Sequence, residues 1–372
     1  MPGCSLLLFL FNQEVQQYLS SFYASLPYLP YLLIFAAAFL AWGYNNGREL
    51  HLLLVIALSY WAIRQFIWTA NLPIESQSML FAIICVFIPL NYLLQNLLAE
   101  KGIWRWQMFK RLTVSLAQIA TIILLLKYQE HQITQTLRSV LWQNPWPQFI
   151  KVTQPGLIIL VISLVLIVSQ LIIKATVLRS GGLMSLLAIT MALNSIGQPS
   201  TAMIYFSIAA ASLLIGVILN SYNLAYLDEL TNLPSRRALK QDLLGLGKRY
   251  CVAMLDLDYF KKLNDKYGHD VGDQALRMVA AHLNRIPGGG KAYRYGGEEF
   301  TLVFRNKELH DAIQHVDNLR KTIAANPFHV RSKNRPRKKP EQLKQSGKEI
   351  QINVTVSIGV AQRGEQHQNP QD

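Results

Sequence analysis

Arg294-Tyr295-Gly296-Gly297-Glu298-Glu299-Phe300 decides how the second half of this 372-residue chain is read. Two short β-rich runs flank its centre, Lys291–Tyr295 and Phe300–Phe304. Adjacent glycines between such runs supply the positive φ that a tight two-residue hairpin turn demands. The turn is therefore expected at Gly296-Gly297, with Glu298 and Glu299 at the mouth of the hairpin. Upstream, Tyr250–Leu257 reads as a buried strand running into Asp256 and Asp258. A period of two places both aspartates on one face. Carboxylates brought together at strand ends are a recurring setting for metal-assisted chemistry, although acidic residues at strand ends are also common on ordinary surfaces.

Further out, Asp228 or Thr231 is placed to cap a turn, and Pro234 suits the first turn of a helix running on through Leu244. Gly268–Asp273 is expected to be a turn into a helix from about Gln274 to Arg285, followed by a flexible break at Gly288-Gly289-Gly290. His310–Ala325 has the apolar period of an amphipathic helix, and Ile350–Val360 reads as a final strand.

The first half has a different character. Residues 1–222 carry 11 Lys/Arg and 5 Asp/Glu, whereas residues 223–372 carry 25 and 17. A mean hydropathy of +0.20 with 16% charged residues exceeds what a purely soluble chain shows. Crossing about 30 Å of hydrocarbon takes about 20 helical residues. Seven runs approach that length, near 28–44, 50–69, 79–98, 112–128, 156–175, 182–196 and 202–222, the sixth being short and carrying Asn194. Between Leu157 and Ile173 there is no charge at all, which excludes a solvated helix face. Residues 1–222 are accordingly read as a multi-pass sensor or anchor, and residues 223–372 as the catalytic domain.

Lys/Arg placement sets the orientation. The loops after the odd-numbered spans hold Arg48, then Lys101, Arg105, Lys110 and Arg111, then Lys174 and Arg179; the opposite side is nearly free of them outside Lys127, Arg138 and Lys151. This predicts an inner-membrane protein with its N-terminus outside and its second half in the cytoplasm. Arg64, inside the second span, is a functional-site hypothesis by default, yet it lies within snorkelling reach of the outer end. The segment Gln129–Gln154, with Trp142 and Trp146, suits either an outer ligand surface or interfacial anchoring. Cys4, Cys85 and Cys251 show no paired spacing, so no disulfide framework is expected. Ser5–Phe11 lacks the basic flank of a signal peptide.

From about Asp228 to Ala361 the chain resembles the GGDEF family of diguanylate cyclases. The resemblance rests on five ordered blocks: DELTNLPSRR (228–237), LDLDYFKKLND (255–265), GHDVGD (268–273), RYGGEEF (294–300) and VSIGVA (356–361). It implies a palm-like (adenylyl-cyclase-like) α/β domain, a central sheet flanked by helices, following an α-helical membrane bundle of about seven spans. The implied reaction condenses two GTP into cyclic di-GMP and two pyrophosphates, each subunit of a homodimer holding one GTP. Matched to the family's motifs, Asp256, Glu298 and the Leu257 carbonyl would hold two Mg²⁺ (or Mn²⁺) ions per active site, oxygen donors disfavouring zinc. Glu299 takes the position that deprotonates or positions the attacking hydroxyl, and Glu298 and Lys261 share the catalytic set, Lys261 as a phosphate clamp. Asn264 and Asp273 match the guanine-reading positions, and Phe260 belongs to the substrate-binding set. In isolation Asn264 and Asp273 would both be read as helix caps. Arg294 is expected to pair with a nearby carboxylate, and His269 to brace the turn.

Two departures from the family pattern are expected. Pro287 and Gly290 stand where many members carry an Arg-x-x-Asp inhibitory site, so product feedback by that route is expected to be absent. Gln362–Asp372 is polar and without helical period, so the family's closing C-terminal helix and its phosphate-contacting lysine are expected to be missing. The alternative to an enzyme is then a degenerate receptor that binds nucleotide and signals by contact; a transporter-like membrane half would need more mid-membrane charge than Arg64. The stretch Arg331–Lys344 carries seven Lys/Arg and two prolines, reading as a solvated basic loop or a contact with anionic lipid. It lacks the interleaved aromatics of a nucleic-acid site, so no nucleic-acid partner is expected.

Overall fold

A computed structural model describes residues 25–98, 102–103, 106–128, 150–326, 328–329 and 351–363. Residues 129–149, the basic stretch 331–344 and the tail 364–372 lie outside the described residues, as does Cys4. The chain divides into two compact units, Met1–Ser221 and Tyr222–Asp372.

The first unit is built from helices α1 (Leu29–Gly43), α2 (Gly47–Ala62), α3 (Ile74–Leu97), α4 (Trp106–Tyr128), α5 (Gln154–Ile173), α6 (Val177–Asn194) and α7 (Pro199–Tyr226). Among the described residues, seven helical segments, α1 counted from Leu26 and α2 extended by its continuation to Trp68, are long and apolar enough to cross a membrane by length and composition. Many of their large apolar side chains, such as Phe35, Ile162 and Ile215, point outward. Several polar side chains turn inward. His51 of α2 shares a hydrogen bond with Ser115 of α4 (2.8 Å) and meets Gln95 of α3 (3.0 Å), while Asn91 donates to Gln118 (2.8 Å). In an apolar surround these pairs satisfy groups that lipid could not. Beyond α2 the chain continues as a π-helical segment, Ile63–Trp68, where the Arg64 guanidinium lies 4.9 Å from the Tyr28 ring centroid. That cation–π contact gives Arg64 a partner at this end of the helix. Cys85 and Cys251 are buried free thiols.

The second unit comprises α8 (Arg236–Leu244), β1 (Tyr250–Leu257), α9 (Phe260–Tyr267), α10 (His269–Leu283), β2 (Gly290–Gly296), β3 (Glu299–Arg305), α11 (Leu309–Ala325), β4 (Phe328–His329), β5 (Gln351–Ile352) and β6 (Val356–Gln362). The main sheet has the order β2-β3-β1-β6 and is antiparallel throughout. Period-two alternation sorts the central strand. Cys251, Ala253, Leu255 and Leu257 bury against Leu276, Val279 and Leu283 of α10 and Val316, Leu319 and Ile323 of α11. On the other face, Leu239 and Leu243 of α8 cover only Tyr293, Val303 and their neighbours. The part of that face bearing Met254, Asp256, Ser357 and Gly359 is left exposed. Helix coverage of one and a half faces is what creates room for a site.

Three expected boundaries move. The helix expected from Gln274 begins at His269, directly after Gly268 at φ +86°. Gly272 therefore lies inside a helix, where its presence in the sequence had pointed to a turn. The expected single strand Ile350–Val360 is two, β5 pairing with β4 and β6 with β1. Between them the Thr355 carbonyl accepts from the Asp258 amide (3.0 Å), so the chain changes partner where it closes off the end of β1. The hairpin turn occupies Gly297-Glu298, with Gly296 paired to Glu299 across it, because an irregularity between Arg294 and Gly296 shifts the register. Only Gly297 takes a positive φ (+49°).

Candidate active site

The hairpin and the central strand bring the acidic residues together. Asp256 is the register partner of Glu299 across β1 and β3, and Ser357 is its partner on β6. Both carboxylates are exposed. They border an open cavity of about 330 Å³ over Met254, Ile358 and Gly359. Glu298, in the turn, is partly covered. Its carboxyl is held above the ordinary glutamate range, by burial first and then by the negative charges of Asp256 and Glu299. Among the described residues no Lys or Arg forms an ion pair with Asp256, Glu298 or Glu299. Like charges opposed across a ladder are destabilising, so a bound cation would relieve this group.

No three Asp, Glu, His or Cys side chains among the described residues converge closely enough to hold a metal alone. Magnesium does not require that, since it is commonly held by one or two carboxylates plus substrate phosphates. An all-oxygen donor set carrying uncompensated charge therefore fits a hard divalent ion. The Leu257 side chain is buried in the core, leaving its backbone oxygen as the atom that this position can offer. Asp258 differs from Asp256. Its two oxygens accept from Thr355 Oγ1 (2.7 Å) and Ser357 Oγ (2.6 Å), which ties the end of β1 to β6.

Beyond β1, Tyr259 adopts a left-handed conformation (φ +56°) and starts α9. The first-turn N–H groups of a helix lack intrahelical acceptors and favour anions. Lys261, exposed in that first turn, adds a charge to the same place. The Phe260 ring is buried in the core, so a substrate contact at this position falls to its backbone. Asn264 lies within α9, and Asp273 lies in the second turn of α10. Neither is a helix cap. The two helices cross so that Asn264 Oδ1 is buried beside Gly272, with no hydrogen-bond partner among the described residues.

The turn after α7 is fastened to the hairpin. Asp228 Oδ1 accepts from the Thr231 amide (2.9 Å), the Thr231 hydroxyl (2.7 Å) and Arg294 Nη1 (2.8 Å). Arg294 Nη2 also donates to the Gly297 carbonyl (2.8 Å), and its amide to the Pro234 carbonyl (2.8 Å). Burial opposes ionisation of Asp228 most strongly. The hydrogen bonds from Thr231 and Arg294, with the guanidinium charge, outweigh it and hold the carboxyl below the usual range. The expected carboxylate partner of Arg294 is thus Asp228. Its second bond, to the turn carbonyl, had no signal in the sequence.

A family model described as "Diguanylate cyclase, GGDEF domain" matches residues 225–372. The second unit belongs to the GGDEF family. The response regulator PleD of Caulobacter vibrioides is 35% identical over 150 residues, covering 38% of this chain and 30% of PleD. The diguanylate cyclase VdcA of Vibrio cholerae is 44% identical over 103 residues, covering 27% of this chain and 30% of VdcA. The probable diguanylate cyclase DgcF of Escherichia coli is 37% identical over 164 residues, covering 42% and 45%. The chain therefore spans less than half the length of these curated relatives. Among solved structures, the GGDEF domain of DgcB from Caulobacter crescentus, in complex with c-di-GMP, is 30% identical, covering 40% of this chain and 80% of that one, with a TM-score of 0.33. The GGDEF domain described here places Asp256, Glu298 and Glu299 on one rim and Asn264 beside the backbone of α10.

Proposed function

We propose that this protein is a membrane-bound diguanylate cyclase, condensing two GTP into cyclic di-GMP and two pyrophosphates across a homodimer of its GGDEF domains. The observation that carries the reading is the facing of Asp256 and Glu299 across β1 and β3, with Glu298 beside them and no ion pair to the three from any described Lys or Arg. Asp256, Glu298 and the Leu257 carbonyl are the groups that would hold Mg²⁺ or Mn²⁺, two ions by family analogy. When bound, such ions neutralise the triphosphate and lower the pKa of a coordinated hydroxyl. Glu299 lies on the exposed rim, where it orients the 3′-hydroxyl of an incoming GTP and takes its proton as the oxygen bonds to the α-phosphorus of the other GTP. The bond from that phosphorus to the bridging oxygen breaks, and pyrophosphate leaves. Repetition with the roles of the two nucleotides exchanged closes the ring. Lys261 and the first turn of α9 steady the phosphates. Asn264 and Asp273 present hydrogen-bonding groups that suit the N1, N2 and N3 edge of guanine, a pattern adenine does not offer.

The membrane assignment is supported by the seven apolar helices and by Lys/Arg placement. On this reading the membrane is the inner one, the N-terminus lies outside, and the first unit controls a cytoplasmic GGDEF domain. Membranes containing the full chain, incubated with GTP and Mg²⁺, are expected to yield cyclic di-GMP, and the Glu299→Ala chain to yield about a hundredth of it or less. GTP binding without product in the unaltered chain would instead make it a nucleotide-binding receptor.

A further inference from the structure

Gly272 has no backbone reason to be glycine. It sits in the first turns of α10 with an ordinary helical φ, and glycine in a helix interior costs about 1 kcal/mol relative to alanine. Its reason lies across the helix crossing. A Cβ built on Gly272 would overlap Asn264 Oδ1, approach Asn264 Cγ to 2.9 Å and meet Phe260 Cζ at 3.2 Å. The bare Cα is thus the floor on which the Asn264 amide rests, and the next residue along α10 is Asp273. Phe260 fixes the other wall, since its ring is anchored in the core. The amide end is the movable member of this contact, because a long polar side chain can swing where a buried ring cannot.

We infer that Gly272 is the specificity-determining positioning residue of the base site: its missing side chain lets α9 and α10 approach closely enough for Asn264 and Asp273 to read one edge of the same purine. This rests on the cyclase reading above, and it adds a residue that touches no substrate atom. A methyl group at this position pushes the Asn264 amide off the floor while leaving the helix intact. The Asn264 amide that would meet the guanine edge is then displaced, whereas the carboxylates of β1 and the hairpin stay where they are.

The test compares Gly272→Ala, Asn264→Ala and the double variant in the full chain, with GTP and with inosine triphosphate, which lacks the 2-amino group. Gly272→Ala is expected to raise KM for GTP about tenfold or more, the order of one lost hydrogen bond to the base, with kcat within a few-fold and thermal stability unchanged or higher. The preference for GTP over inosine triphosphate should shrink to the level of Asn264→Ala. The double variant should match Asn264→Ala alone, because the methyl group then has nothing left to displace. An unchanged KM for GTP in Gly272→Ala, in a chain that turns GTP over normally, overturns the role given to Gly272. Losses that multiply in the double variant overturn it too, since they show an effect not routed through Asn264. If the unaltered chain neither binds nor turns over GTP, the base site itself is refuted and the inference falls with it.

Discussion

Asp256 and Glu299 stand opposite one another in the β1–β3 ladder, two carboxylates on the exposed face of the sheet with Glu298 beside them. Such an arrangement is unfavourable in the absence of a cation and becomes favourable when one binds. Replacing Asp256 by Asn should therefore raise the melting temperature of the metal-free protein while removing cyclic di-GMP synthesis. Millimolar Mg²⁺ should raise the melting temperature of the unaltered protein and leave that of Asp256→Asn nearly unmoved. A differential scanning measurement with and without Mg²⁺ checks both, and equal stabilisation of the two proteins would remove Asp256 from the metal set.

Glu299→Ala should reduce turnover by about 10²–10⁴-fold, the range of a lost general base, with little change in GTP affinity. Quantifying cyclic di-GMP and, separately, GTP retention under non-turnover conditions separates the two effects. A tenfold loss of GTP binding would show that Glu299 holds substrate instead of acting on its hydroxyl.

The acidity of Glu298 gives a pH signature. Its folded-state pKa lies above the ordinary glutamate value because of burial and the charges of Asp256 and Glu299. The folded state then binds more protons than the unfolded one between the ordinary and the raised value, so stability declines as pH rises through that window. Glu298→Gln should abolish this decline, and metal-free melting curves across about pH 4 to 7 will show whether it does. Parallel pH profiles for the two proteins would mean that Glu298 is relaxed by solvent.

Arg294 links the turn Asp228–Pro234 to the hairpin. Arg294→Ala leaves a half-buried Asp228 without its guanidinium and the Gly297 carbonyl without its donor; hydrogen bonds to charged groups contribute about 1.5–3 kcal/mol each. Stability should fall by about that amount, and the hairpin should loosen, lowering turnover without a change in base preference. Because the folded-state pKa of Asp228 is depressed, its contribution is present above the ordinary aspartate value and is lost as pH falls through the depressed one. Asp228→Asn should flatten that acid limb of the unfolding curve. A limb of unchanged slope would place the pH dependence elsewhere.

Much of this was legible before any coordinates. Tyr250–Leu257 was readable as a strand because it is a short β-rich apolar run ending in aspartates, and the helices of the first unit were readable because long runs nearly free of charge admit few other solutions. What stayed hidden depended on tertiary contact. The glycine at 272 reads locally as a breaker, and only the crossing of α9 with α10 gives it a place inside a helix. Ile350–Val360 reads as one strand, and only the bonds that Asp258 shares with Thr355 and Ser357 reveal where it changes partner. At the hairpin the glycines were visible, but the irregularity after Arg294 that slides the turn to Gly297-Glu298 was not. Asn264 and Asp273 resembled caps because a one-dimensional reading sees polar residues near glycines; their placement on the crossing helices is a property of packing.

The loop before β2 bears on feedback. Gly290 opens β2 with its Cα against the core: a Cβ there would lie 2.7 Å from Phe304 Cε1 and 2.9 Å from Ile286 Cγ2. Both neighbours are buried, so neither yields cheaply, and overpacking of this kind costs about 1–3 kcal/mol. The position is therefore shaped for glycine and closed to a carboxylate side chain, and Pro287 offers no guanidinium for a product phosphate. Cyclic di-GMP at micromolar concentration should leave the initial rate unchanged through this route. Installing the pair by Pro287→Arg with Gly290→Asp should lower the melting temperature and should not create inhibition, because the aspartate can enter only by displacing Phe304. Dose–response curves for product on the two proteins decide the matter: inhibition of the unaltered protein would reveal a product site built from other residues, and inhibition gained by the double variant would show that the start of β2 gives way more easily than its packing implies.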